Sequence, residues 1–260
     1  MSEPVVTYEL DGEVAMIGLN RPDKRNCLSP DLQSQLREAA LRAGEEAKCG
    51  ILFGYGENFC AGLDLAWAAE NWKEGKAQRL PFRYNRDQYQ EVIARGNIPF
   101  IAALHGATLG GGFETAACAH IRIADETTFF GLPEGTRGIY IGGGGSVRIA
   151  RLIGFSRMQD MMLSGRVLKP EEAERYGAVH YLVPKGQSIA KAKELAVRIC
   201  KNAPLSNFAI TNSLPRLQDM GYDDGLYFER MVGEYTRSPE SIVRLKEFLD
   251  KTAPRLKMPD

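Results

Sequence analysis

The chain has 260 residues, 44% hydrophobic and 25% charged, with Lys+Arg and Asp+Glu both at 33 and a formal net charge of zero. Length and composition suit one large globular domain, or a domain with an extension. The balanced charge argues against a dedicated nucleic-acid binder, which carries a basic surplus.

In chain order, VTYEL (6–10) and VAMIGLN (14–20) flank Asp11-Gly12 and predict a hairpin. LNRPDKRNCLS (19–29) reads as a loop, and Ser29 caps a helix beginning near Pro30. That helix, roughly 30–47, has Leu32, Leu36, Ala39 and Ala40 at helical spacing. CGILFGYG (49–56) predicts a buried strand. Residues 66–90 are charged, broken by Gly75 and Pro81, and hold both tryptophans, Trp67 and Trp72; they predict a loop or loose helix. A helix resumes over 83–95. The strand PFIAALHG (99–106), a glycine run, a short helix and the strand HIRIAD (120–125) follow. TTFFGLPEGT (127–136) predicts strand then turn, 142–163 one or two helices behind four glycines, and VHYLVP (179–184) a last strand. From Ser188 the pattern is helical, with a break at Pro204. Alternating strands and helices place the chain in the α/β class, and no repeat of 20–50 residues stands out.

The N-terminal run MSEPVVTYELDGEV lacks a basic and then apolar leader. The least charged long stretch, 98–119, contains four glycines, His105 and Glu114, which suits a core better than a bilayer. Five scattered cysteines (Cys27, Cys49, Cys60, Cys118, Cys200) with no C-x-x-C pair suggest neither zinc site nor disulfide framework. The expectation is a cytoplasmic protein with no metal, no membrane span and no nucleic-acid partner.

Three stretches carry chemistry. Gly110-Gly111-Gly112 opens a helix, where backbone N–H groups lack partners and the dipole's positive end points outward. Such a place suits an anion, or an oxygen becoming anionic during a reaction. Glu114 stands in the first turn, either as a simple cap or as a carboxylate held for proton transfer. NFCAGLDL (58–65) follows a predicted strand and its Ala61-Gly62 pair again leaves amides accessible. In FFGLPEGTRG (129–138), Pro133 holds Glu134 in a rigid turn; otherwise Glu134 is a solvated turn residue. Neither a G-x-G-x-x-G nor a P-loop pattern occurs.

In this order, A-G-x-D-L at 61–65, G-G-G-x-E at 110–114 and P-E at 133–134 resemble the crotonase (enoyl-CoA hydratase/isomerase) superfamily. NRPDKRNCLS (20–29) resembles that family's early loop, and RLIGFSRMQDMMLSGRVLKPEEAERYGAVHYLVP (151–184) its later run. Each motif alone is weak; five in register are specific. The resemblance implies a spiral of repeated β-β-α units over 1–195 and a C-terminal helical region over 196–260 that packs a trimer or a dimer of trimers.

It also implies an acyl-CoA substrate and no separate cofactor. The amides of Leu63 and Gly111 would hold the thioester oxygen, and Glu114 and Glu134 would move the protons of a hydration. Lys24, Arg25, Cys27 and Leu28, with Ala61, Gly62, Asp64 and Leu65, would touch the CoA; Gly110 and Tyr140 would border the acyl group. Lys24 and Arg25 read equally well as solvated charges, and Asp64 as a brace for loop amides. Isomerase, hydrolase and hydroxycinnamoyl-type hydratase-lyase reactions use the same amides, and a CoA- or RNA-binding scaffold is the non-enzymatic alternative. Trp67, Trp72, Phe82, Tyr84, Phe113 and Tyr140 form either an aromatic acyl pocket or, the favoured reading, ordinary packing. Cys60 and His105 offer a conceivable nucleophilic pair; Cys118 and His120 are too few for a metal.

Overall fold

A computed structural model describes residues 4–71 and 88–252. The chain forms two compact units, Met1–Cys200 and Lys201–Asp260. The expected boundary at 195/196 falls inside a helix that the first unit keeps whole.

β1 (Val6–Asp11) and β2 (Val14–Leu19) pair antiparallel, Val6 opposite Leu19. α1 (Pro30–Glu46) starts where expected: the Ser29 hydroxyl accepts the Leu32 N–H at 3.2 Å, and Leu32, Leu36, Ala39, Ala40 and Ala43 are buried. β3 (Cys49–Gly54) lies parallel to β2. The segment read as a loop or loose helix opens in α2 (Leu65–Asn71), a regular helix, and α3 (Tyr89–Arg95) falls within the helix expected over 83–95. Residues 83–87 of the expected helix, with Trp72, Phe82 and Tyr84, lie outside the described residues.

The strand expected over 99–106 is followed at once by a second, unexpected one. β4 (Phe100–Leu104) ends before a turn at Gly106, and β5 (Ala107–Leu109) leaves for a different sheet. α4 (Gly111–Cys118), β6 (Ile121–Asp125) and β7 (Phe129–Gly131) follow. Next come α5 (Gly145–Ile153), α6 (Phe155–Ser164), β8 (Val167–Leu168), α7 (Pro170–Arg175), β9 (Tyr181–Val183) and α8 (Ser188–Cys200). The second unit holds α9 (Pro204–Leu217), α10 (Tyr222–Tyr235) and α11 (Pro239–Leu249).

Six strands form one sheet in the order β1-β2-β3-β4-β6-β9, and β5-β7-β8 form a second. β4-β5-α4 and β6-β7-α5 are the same unit repeated: each gives its first strand to the large sheet and its second to the small one. Because side chains alternate across a strand, the large sheet buries both faces. Ile51, Phe53, Ile101 and Ala103 meet Ala192, Leu195 and Ala196 of α8 on one face. Leu52, Ala102 and Leu104 join Leu32, Leu36, Ile93, Phe113 and Ala116 on the other. The loops that follow β3 and β5, and the turns before α4 and α5, are thereby held on rigid supports.

Candidate active site

The backbone of the site is built by two one-residue bridges. The Cys60 N–H donates to the Ala107 carbonyl and the Leu109 N–H to the Cys60 carbonyl, both at 3.0 Å, tying the loop after β3 to β5. The Leu28 N–H donates to the Gly62 carbonyl at 2.7 Å, and the Asp64 N–H to the Leu28 carbonyl at 3.1 Å. In such a parallel bridge both polar groups of Leu28 are used, and those of Leu63 face the other way. The Leu63 N–H is therefore turned out of the bridge. The Gly111 N–H is the first of α4 and has no intrahelical acceptor. Neither donates to any described residue.

Their closeness depends on missing side chains. A Cβ on Gly111 would lie 3.6 Å from the Leu63 nitrogen; one on Gly62, whose φ is +91°, would lie 3.2 Å from the Gly111 nitrogen and 2.6 Å from the Leu109 oxygen. A Cβ on Gly112 would overlap the Cys60 carbonyl. Two N–H donors from distant segments thus stand side by side at a helix N-terminus, a geometry suited to a developing oxyanion.

Both glutamates are 6% exposed. Glu114 Oε1 accepts the Gly143 N–H at 2.6 Å and the Gly145 N–H at 2.8 Å, at the start of α5. Burial pushes its carboxyl above the usual range, while those two N–H groups and the Arg148 charge pull the other way. Arg148 also donates to the Gly143 carbonyl at 3.0 Å and pairs with Glu91 of α3, so it braces the loop that grips Glu114. The Glu134 carboxylate lies against Gly110: a Cβ there would sit 2.8 Å from Oε1. Its Oε2 is buried and has no hydrogen-bond partner. Burial, with the Glu114 charge behind it, raises the Glu134 carboxyl as well.

Leu63, Gly111, Glu114 and Glu134 line one cavity of about 510 Å³. Arg25, Leu28, Ala61, Gly62 and Leu65 line it too, as do Gly110 and Tyr140. Lys24, Cys27 and Asp64 do not. Lys24 ends the short turn Pro22–Lys24, which buries nothing. The Cys27 carbonyl and Asp64 each accept from Arg21, at 2.8 and 3.0 Å. Asp64 also accepts the Trp67 N–H at 3.2 Å. Partial burial would raise the Asp64 carboxyl, but the Trp67 N–H and the Arg21 guanidinium hold it below the usual range. Asp64 braces the loop instead of facing the cavity.

Several lining residues escape the sequence reading, among them Gln90, Arg137, Ile139 and Gly143. For Gly143 a signal existed: the glycine run at 142–145 precedes a helix just as 110–112 does. Phe113 is fully buried against Phe130, ring centroids 5.0 Å apart, which is packing and not pocket. Trp67 does not line the cavity. The nucleophilic pair is not assembled: burial pushes the Cys60 thiol up to about 12, and His105 Nε2 bonds the Gly56 carbonyl at 3.0 Å. Among the described residues no cluster of metal-ligating side chains occurs, and no helix is long and apolar enough to cross a membrane.

The winding of β-β-α units into paired sheets, with helices at the C-terminal end, is the crotonase architecture. A crystal structure of an enoyl-CoA hydratase from Bacillus anthracis superposes with a TM-score of 0.86 at 30% identity, over 96% of this chain and 98% of that one. The Enoyl-CoA hydratase/isomerase family model matches residues 9–258, and the chain belongs to that family. An enoyl-CoA hydratase of Mycobacterium tuberculosis is 30% identical over 97% of this chain and 96% of its own. A mevalonyl-coenzyme A hydratase of Aspergillus fumigatus is 34% identical over 74% of this chain and 70% of its own. The protein is a crotonase-family acyl-CoA enzyme.

Proposed function

We propose that the protein adds water reversibly across the C2=C3 bond of a 2-enoyl-CoA thioester, giving the 3-hydroxyacyl-CoA. The observation that carries this is the meeting, in one cavity, of two unpaired backbone N–H groups with two buried carboxyls of raised pKa. The Leu63 and Gly111 N–H groups hold the thioester oxygen, which gains charge as the nucleophile reaches C3; such a donor is typically worth roughly 10²–10³ in rate.

The two carboxyls divide the proton work. Glu114 Oε1 already accepts two N–H groups, which favours its ionised form and fits it to take the proton from water. Glu134 has no comparable donors and an unpartnered Oε2, which fits it to keep a proton and deliver it to C2. The water oxygen bonds to C3, its proton goes to Glu114, and Glu134 supplies the hydrogen at C2. Reprotonation of Glu134 from Glu114 or solvent closes the cycle.

The test is loss of the enoyl-thioester absorbance with crotonyl-CoA and with longer and aryl enoyl-CoAs. A product 18 Da heavier than its substrate supports hydration. Products of unchanged mass mean double-bond isomerisation, and no turnover of any of them overturns the proposal.

A further inference from the structure

The glycine run that lets α4 approach the loop after β3 is also soft backbone, because Gly110, Gly111 and Gly112 have no Cβ to limit their dihedrals. A donor stabilises a developing oxyanion well only if it is already aimed when the charge forms. On the N-terminal side of Gly111 the backbone is fixed by backbone. The Gly110 N–H donates to the Gly131 carbonyl at 2.9 Å, and the Gly110 carbonyl accepts the Glu114 N–H at 3.0 Å.

On its other side Gly111 is held by side chains. The Thr115 hydroxyl donates to the Gly111 carbonyl at 2.8 Å and lies 2.8 Å from the Tyr89 hydroxyl. A carbonyl oxygen can only accept, so the single Thr115 proton is committed to Gly111, and the Tyr89 O–H is the donor to Thr115. Both side chains are buried. Burial pushes the phenol well above its usual range, against the pull of the Thr115 contact, so Tyr89 stays protonated at neutral pH. Phe and Val would fill the same space without the cost of burying two hydroxyls, so packing α3 on α4 does not call for the pair. Tyr89 also stands two residues before Glu91, which reaches the turn gripping Glu114 through Arg148. One short helix, α3, thus touches the supports of both the proposed oxyanion donor and the proposed base.

We infer that Tyr89 and Thr115 are positioning residues for the Gly111 N–H: their hydroxyls hold the first turn of α4 so that this donor is aimed at the thioester oxygen. The inference rests on the acyl-CoA reading of the cavity and adds to it the residues that preorganise one of its two donors.

Isotope-edited infrared spectroscopy of bound butanoyl-CoA, with a heavy-carbon label at the thioester carbonyl, reads the donor without turnover. Hydrogen bonds to the oxygen weaken the C=O bond, so binding to the parent protein should lower its stretching frequency. Tyr89→Phe and Thr115→Val should each lose part of that lowering. Each should also cut kcat for crotonyl-CoA hydration by about tenfold, less than the roughly 10²–10³ of a lost donor, with KM changed little. Thr115→Ser keeps the hydroxyl and should match the parent. The double variant Tyr89→Phe with Thr115→Val leaves neither hydroxyl behind, so it should melt close to the parent and still show the loss. Variants that melt lower yet keep the full frequency shift overturn the inference, since the pair would then serve packing alone. So does a Thr115→Ser variant that behaves like Thr115→Val, or a parent that binds butanoyl-CoA with no lowering. No binding of butanoyl-CoA removes the acyl-CoA reading and this inference together. The expected frequency effects without hydration of any enoyl-CoA leave the inference standing and remove only the hydratase reaction.

Discussion

Glu114 and Glu134 have the same side chain and the same exposure, yet their surroundings suit them to different tasks in the proposed hydration. One is held by two backbone N–H groups; the other has an oxygen with no partner at all. Glu134→Gln keeps shape and removes the proposed proton donor, so kcat should fall by roughly 10²–10⁴ while KM changes little; steady-state kinetics checks this. The same substitution reports on stability. The folded-state Glu134 carboxyl titrates above its ordinary 4.5. Its contribution to stability is fully present below 4.5 and is lost as pH rises through the raised folded value. Glu134→Gln should therefore melt higher than the parent protein at pH 7, with the gap closing as pH falls towards 4.5. A gap that widens on acidification would contradict the burial argument.

At the scale of elements, the site is an agreement between two helix starts. α4 presents Gly111 and Glu114, and the turn ahead of α5 supplies the N–H groups that hold Glu114. Gly112→Ala would drive a methyl group into the Cys60 carbonyl and push α4 off the loop after β3. Urea unfolding should show a loss of about 1–3 kcal/mol, typical of overpacking. Arg148 links the second start to α3 by bonding the Gly143 carbonyl and Glu91. Arg148→Met should loosen that grip and cost on the order of 10² in kcat/KM, as misplaced catalytic groups do. It also removes a charge that lowers the Glu114 pKa, so the acidic limb of the pH–rate profile should move to higher pH. An unmoved limb would mean that Arg148 serves structure alone.

For the whole molecule, the spiral turns chain positions far apart into neighbours: Leu28, Leu63 and Gly111 meet because the loop after β3 bridges to Leu28 at Leu63 and, at Cys60, to β5, which leads into α4. The second unit shows a different surface. Tyr222, Tyr227, Phe248 and Leu249 of α10 and α11 are between 71% and 82% exposed, a concentration of apolar side chains that monomers rarely leave in water. We propose that copies of the chain cover them, giving a trimer of three times 28.8 kDa or a pair of trimers. Light scattering after size exclusion should show one of those masses, and Phe248→Asp with Tyr227→Asp should shift it towards the single chain. A parent protein of single-chain mass would remove that assembly.

Much of this was legible in the residues themselves. Ser29 and Pro30 marked the start of α1, apolar runs marked β2 and β3, and glycine followed by glutamate marked the start of α4. Those features are local, set by backbone freedom, capping and side-chain periodicity within a few residues. What stayed hidden was relational. The short strand β5 just after 99–106 and its place in a second sheet, the repeat that β4 and β5 belong to, the turning of Asp64 to Arg21, and the convergence of Gln90 and Arg137 on one cavity all depend on partners 20 or more residues away in chain or on another element. Local sequence determined which backbones could approach closely and which side chains could ionise. Only tertiary packing decided which of them face the same space, because burial and contact are properties of the folded surface and not of any single stretch of chain.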